Sequence, residues 1–249
     1  MVYPIVGGAE VGGPSGYTYG VVLVRTDARR EVLAALREVR FSGWLAHPEG
    51  GWLVVVARHG NRTVAAGRRG VIGVGEWLAD RLAATVLAVR VVSDRQLAVV
   101  LWADGEEVGR YVSDPSVGFA KDEKVLSEPL GVEHAAAFAQ ACAHPEAADD
   151  LAELLADELD PDSVIESERL GTVLRLLGLP RWLVAAASLP KDVPTGPRAA
   201  EMTRLGAGVP GLPGRLCGRA VDIVRRHRRP PPPIADPPRA TADVDPWLL

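Results

Sequence analysis

Residues 18–57 read TYGVVLVRTDARREVLAALREVRFSGWLAHPEGGWLVVVA, and residues 58–92 continue RHGNRTVAAGRRGVIGVGEWLADRLAATVLAVRVV. Gly20 to Val24 is an uncharged apolar run of strand length, and Asp27 can cap a helix in which Val32, Leu33, Leu36 and Val39 recur at helical spacing. Phe41 to Leu45 and Trp52 to Ala57 are two further β-rich runs, joined by the turn chemistry of His47-Pro48-Glu49-Gly50-Gly51. A second helix, with Val74, Trp77, Leu78 and Leu82 on one face, follows the glycine-rich stretch Gly67 to Gly75 and precedes a strand from Val86 to Val92. The order β-α-β-β-α-β predicts an α+β fold, a ferredoxin-like antiparallel sheet with both helices on one face. Asp104-Gly105 is tight-hairpin chemistry, so Leu97–Trp102 and Glu106–Val112 should pair and extend that sheet.

Beyond Ser113-Asp114-Pro115 the pattern becomes helical. Helices are expected over Val132 to Ala141, Pro145 to Leu159 and Val164 to Leu177, the last opened by a capping box, Ser163-x-x-Glu166, and closed by Gly178 and Pro180. A short helix over Arg181 to Ser188 follows. From Lys191 on, Pro and Gly rise and periodicity fades, apart from a short helix near Leu216 to Arg226, and Pro230 to Pro233 should be polyproline II. Four segments result: a flexible Gly-rich start (1–17), an α+β domain (18–115), an acidic helical extension (116–190) and a Pro/Arg-rich, mostly disordered tail (191–249).

The 249 residues carry 47% hydrophobic and 24% charged side chains, ordinary globular usage that argues against a wholly disordered chain or a fibrous repeat. Cys142 and Cys217 fit no metal-ligand spacing and make no disulfide framework, which points to a reducing compartment. The first 20 residues hold no Lys or Arg and no apolar run of signal-peptide type, and no 18-residue uncharged apolar stretch occurs, so a cytoplasmic protein without a membrane span is expected. Charge is unevenly spread: residues 122–170 hold 14 acids against Lys124 and Arg169, whereas residues 191–249 hold 10 basic residues against 6 acids. The first stretch would repel nucleic acid and attract a basic partner, or serve only as a solvated face.

Gly67, Gly70, Gly73 and Gly75 lie before the second helix, where backbone N–H groups and the helix dipole favour an anion. Gly70-Val-Ile-Gly-Val-Gly75 has Walker A glycine spacing, but Glu76 and Trp77 stand where Lys and Ser/Thr are required. Arg68 and Arg69 could supply positive charge for a different anion, so Arg68, Arg69, Gly70, Gly73 and Gly75 are candidate ligand-binding residues. The five histidines, His47, His59, His134, His144 and His227, form no zinc motif, and His134 and Cys142 are about 12 Å apart along a helix, too far to share a metal. Asp157, Glu158, Asp160 and Asp162 lack the glycine and spacing of a calcium loop. Asp114, Glu106 and Glu107 have no acid/base partner that the sequence identifies, and Ser15 lies in no nucleophile elbow. No catalytic residue, metal or cofactor is expected.

The tail offers two partner-binding elements. Arg225, Arg226, Arg228 and Arg229 precede four prolines and suit an acidic surface, including the chain's own 122–170 segment. Trp247, Leu248 and Leu249 are bulky apolar residues with nothing local to bury against, either a short docking peptide or an unselected terminus.

The stretch from Leu101 to Pro115, LWADGEEVGRYVSDP, followed by the acidic helical region and Leu177-Gly-Leu-Pro180, resembles an uncharacterised family of bacterial proteins in its strand, Asp-Gly turn, strand and Ser-Asp-Pro step. The resemblance covers roughly residues 85–190 and implies no catalytic residue. Taken together, these features predict a non-enzymatic protein-binding or regulatory module, in one version a neutraliser of a basic toxin, with neither nucleic acid nor a membrane as its partner. The alternative is an enzyme or small-ligand sensor using the Gly67–Gly75 loop with Glu76 and Asp114.

Overall fold

A first strand made almost entirely of Val and Leu has no polar face to offer water, so it must lie inside the molecule with a layer on each side. This is what the computed structural model, which describes residues 16–58, 63–115, 128–157 and 165–226, contains. Strand β1 (Tyr19–Arg25) is buried along its length except at Arg25, and it pairs antiparallel with β3 (Trp52–Ala57) on one side and β4 (Val86–Val92) on the other. Val21 and Leu23 face one apolar layer, Val22 and Val24 the other.

Helix α1 (Arg29–Glu38) follows β1, β2 (Gly43–Leu45) pairs with β3, and α2 (Val71–Leu82) leads into β4. Gly50 and Gly51, both at positive φ, make the tight turn between β2 and β3. Helices α1 and α2 cover one face of the sheet through Val32, Leu36, Val74 and Leu78. Strands β5 (Gln96–Ala103) and β6 (Glu106–Val112) form the expected hairpin, with Asp104 and Gly105 both at positive φ. The eight-stranded antiparallel sheet has the order β6-β5-β4-β1-β3-β2-β7-β8.

The other face is covered by α3 (Ala135–Ala141), α4 (Ala148–Ala156), α5 (Glu166–Leu176) and a 3-10 helix over Arg181–Ser188. Phe138, Leu151, Leu170, Leu174 and Leu183 pack with Val21, Leu23, Leu87 and Leu101 in one apolar cluster. The helical region is therefore not an appendage to a finished domain but the second wall of its core. The element bounds differ from the sequence reading in small ways: β2 begins at Gly43, and a 3-10 turn over Pro145–Ala147 precedes α4. Glu166 opens α5, with its carboxyl turned to Ser113 and Arg169, while Ser163 lies outside the described residues.

The largest correction concerns residues 191–226, part of the stretch 191–249 expected to be mostly disordered; residues 227–249 lie outside the described residues. Strand β7 (Thr203–Gly206) pairs with β2, β8 (Val209–Pro210) pairs with β7, and α6 (Gly211–Arg226) follows. Two bonds from outside the ladder fix this edge: Arg29 donates to the Ala46 carbonyl at 2.5 Å and to Thr203 Oγ1 at 2.7 Å. Strand β7 is too short, and too poor in apolar alternation, to be read from its own residues; it exists because β2 has a free edge to pair with. Most of residues 1–17, the four prolines and the final Trp-Leu-Leu lie outside the described residues. Among the described residues, no helix is long and apolar enough to cross a membrane.

Candidate binding surface

The glycine-rich stretch does not all precede the second helix: α2 begins at Val71, so Gly67 and Gly70 lie before it while Gly73 and Gly75 belong to its first turns, and Gly75 is taken up by packing. Gly75 lies against Trp102 and Ala88, where a Cβ would stand 2.9 Å from the indole, and Gly20 admits Val71 in the same way. Gly70 is the buried residue preceding the helix, while Gly73 is half-buried. Arg69 donates to the Ala66 carbonyl at 3.1 Å and stacks over Trp77 at 5.6 Å, and Arg68 is exposed. Asp114 is buried, its backbone carbonyl accepting a 2.5 Å bond from Gln96, and Glu107 is engaged by Arg110 through two 2.8 Å bonds. His134 Nδ1 meets the Arg110 carbonyl at 2.9 Å and His144 Nδ1 meets Glu146 at 3.0 Å. Both cysteines are free, and burial raises the Cys142 thiol to about 12.

A buried polar network that the sequence reading missed joins the sheet to α5. Ser167 donates to Asp94 and lies 2.9 Å from the Tyr19 hydroxyl; Asp94 also accepts from the Tyr17 amide at 3.0 Å. Two residues on, Arg169 donates to the Tyr111 hydroxyl and, at 2.5 Å, to the Asp157 carbonyl, and it stands 3.5 Å from Glu166. Burial raises Tyr19 and Tyr111 to about 12. Burial also raises Glu166, opposed by the Ser113 hydrogen bond and Arg169 and reinforced by Asp114 and Asp94. The network spends most of its polar groups on one another, although Glu166 Oε2 and Arg169 Nε are buried without a hydrogen bond, and its effect is to lock the helical layer to the sheet. A second feature, an open cleft of about 710 Å³ beside Leu179, Pro180 and Trp182, has its carboxylate, Glu49, bonded to the Trp182 indole at 2.9 Å.

Helix α6 differs from both. It meets the sheet edge through glycines: a Cβ at Gly214 would lie 1.8 Å from the Val209 carbonyl oxygen, and one at Gly218 would lie 3.4 Å from the Gly206 Cα. With 100° per residue, Gly214, Gly218 and Val221 fall on the packed face, Leu212, Leu216 and Ile223 fall on the opposite side, and Val224 falls on the flank between them. These four are 71%, 68%, 60% and 54% exposed. Arg215 and Arg219 flank this apolar ridge on one side, and both are exposed. Arg225 and Arg226 belong to the last turn of α6, while Arg228, Arg229, Trp247, Leu248 and Leu249 lie outside the described residues. A helical period near Leu216 was legible in the sequence; that its apolar side faces outward was not, because the glycine side carries no hydrophobic signal.

Comparison of the chain with family models, curated proteins and solved structures gives no match.

Proposed function

We propose that the protein is a non-enzymatic binding module that offers the outward face of α6 to a protein partner. The observation that carries this reading is the set of four large apolar side chains on α6, each more than half exposed, three of them on the side opposite its packed face and Val224 on the flank. Burying such a side chain is worth about 1.5–3 kcal/mol, so a helix that leaves four in water is completed by association. A convex ridge of this kind suits an apolar groove, entered with anchors at 212, 216 and 223.

The occupant is a partner whose groove carries carboxylates along the side that meets Arg215 and Arg219. A second copy of α6 suits the ridge less well, since a two-fold antiparallel pair places both arginine flanks on the same side and opposes like charges. The acidic outer side of the helical layer, with Glu133, Asp149, Asp150 and Glu153 exposed, keeps the expectation of a basic toxin as a separate and weaker version. The strand order β4-β1-β3-β2, with α1 and α2 on one face, supports the ferredoxin-like reading of the first half of the chain. The two unpaired thiols support a reducing, cytoplasmic setting.

The test starts with proteins retained from native lysate by the full-length chain, each then purified and titrated against wild type and Leu216→Gln/Ile223→Gln. An acidic partner bound at least tenfold more weakly by the variant, with affinity falling as salt rises, is the expected result. A set of partners whose affinities do not change with those substitutions would overturn the reading.

A further inference from the structure

The cleft of about 710 Å³ between the β2–β3 turn and the helical layer falls within the range of about 300–1,000 Å³ usual for small-molecule sites. Its apolar lining comes from Leu179, Pro180 and Trp182, all buried, and its mouth carries Glu49, Arg181 and Thr195, all exposed. One glycine bears on whether this space is incidental. Gly171 lies inside α5, where glycine is among the poorest helix formers, and packing does not call for it: a Cβ there would meet only Val184 Cγ1, at an ordinary 3.7 Å. Gly196, beside Thr195, is the contrast, since a Cβ there would stand 2.8 Å from Trp182. What the missing side chain at Gly171 provides is room in the cleft that it lines.

Thr195 points the same way. It is a β-branched residue held at φ 58°, a left-handed conformation that such residues rarely adopt, and its hydroxyl donates to the Pro194 carbonyl at 2.7 Å. Backbone strain of this kind persists only where the surrounding structure imposes it, and it gathers at ligand sites.

The charges at the mouth set the class of ligand. Glu49 Oε2 accepts a 2.9 Å bond from the Trp182 indole, which fixes the carboxylate at the cleft and leaves its other oxygen without a donor among the described residues. The Arg181 guanidinium makes no hydrogen bond or ion pair with any described residue, so the two opposite charges are not spent on one another. A simple anion or a simple cation would be drawn by one of them and repelled by the other. A molecule with an ammonium at one end, a carboxylate at the other and an apolar body between them satisfies both and covers the lining formed by Leu179 and Trp182.

We propose that this cleft binds a short free peptide of apolar residues, its amino terminus at Glu49 and its carboxylate at Arg181. The site is separate from the ridge of α6 and does not depend on the docking reading.

The experiment titrates trialanine, trivaline and trileucine into the full-length chain and follows heat and thermal unfolding. The site predicts saturable binding, tighter for trileucine than for trialanine and at least tenfold weaker in Arg181→Gln. N-acetyl-trileucine should bind the wild type at least tenfold more weakly than trileucine, and Glu49→Gln should erase that difference. Gly171→Leu fills the cleft while replacing glycine by a good helix former, so peptide affinity should drop at least tenfold with no fall in melting temperature. Should that variant fail to fold, Arg181→Gln, a change at an exposed side chain, carries the test. Absence of saturable heat from all three peptides, equal affinity for free and acetylated trileucine, or an affinity unchanged in Arg181→Gln overturns the proposal. Leu216→Gln/Ile223→Gln should bind the peptides as the wild type does, so a failed cleft leaves the docking result standing, and the reverse.

Discussion

Helices α5 and α6 invert one another. Helix α5 places charge inside, with Glu166 2% and Arg169 5% exposed, whereas α6 places Leu216 and Ile223 at 68% and 60% exposure. The difference lies in what each helix meets. Helix α5 lands on the broad apolar face of the sheet, where Leu170, Val173 and Leu174 find partners and its two buried charges find each other, Tyr111, Ser113 and a backbone carbonyl. Helix α6 lands on the short strands β7 and β8, whose Gly206 and Pro210 offer little apolar surface, and approaches by its glycines. An apolar stripe therefore identifies the face a helix would bury, and the neighbouring surface decides whether it can.

The comparison is broken most severely at Arg169. Arg169→Ala removes the counter-charge from buried Glu166 and the donor from the Tyr111 hydroxyl, while Glu166 stays out of water. Urea unfolding should show a loss of about 3–5 kcal/mol, the scale for stripping one partner from a buried pair. A loss below about 1 kcal/mol would mean that the network contributes little to holding α5 on the sheet.

Gly214→Ala tests the other helix at its point of contact. The new methyl would stand 1.8 Å from the Val209 carbonyl oxygen, which no backbone tolerates, so α6 must shift away from β8. The expected cost is about 1–3 kcal/mol. Hydrogen exchange should speed up in α6 and β8 while β1 and β4 keep their protection. Uniform acceleration across the sheet would show that this edge is part of the core's cooperative unit rather than a layer added to it.

The same contrast explains what could be read beforehand. Strands β1 and β3 to β6, helices α1 to α5 and the Asp104-Gly105 hairpin were legible because each carries its own local signal: an apolar run, a helical period, or a turn that needs positive φ. Strand β7 was not, since Thr-Arg-Leu-Gly acquires its conformation from the β2 edge, a long-range condition that no window of sequence contains. The network of Asp94, Ser167, Glu166 and Arg169 was hidden for a related reason: its acids look like ordinary surface charge until Gln96, Ser113 and the helical layer close over them. The Gly67–Gly75 stretch misled in the opposite direction. Gly75, one of the glycines that suggest a phosphate cradle, is also what lets α2 approach Trp102 and Ala88 closely, and only the folded structure separates the two uses.

A smaller effect sharpens the α5 side. Burial holds the Glu166 pKa above its ordinary value of 4.5, so in the folded state this carboxyl keeps its proton at a pH where the unfolded chain has lost it. Between the ordinary value and the raised one the folded state binds more protons, and stability therefore falls as pH rises through that window. Most carboxylates bias stability the other way, so the informative quantity is the difference between wild type and Glu166→Gln. Thermal melts from pH 4 upward should show the wild type losing ground relative to the variant as pH rises through the window, and parallel curves would mean that Arg169 and Ser113 cancel the burial.

The least effect on stability belongs to the ridge, and its smallness is the point. Leu216→Gln/Ile223→Gln removes two large apolar side chains from a helix, a change that at Leu170 and Leu174 of α5 would cost several kcal/mol. On α6 both side chains are already in water, and glutamine is a good helix former, so unfolding free energy should change by no more than about 0.5 kcal/mol. A surface whose apolar residues can be replaced without loss of fold, while association weakens tenfold or more, is one whose hydrophobicity serves binding. If the double substitution instead destabilises the chain by more than about 2 kcal/mol, then part of this same chain covers the ridge, and α6 becomes a second α5, a helix whose apolar side is spent on the protein's own core.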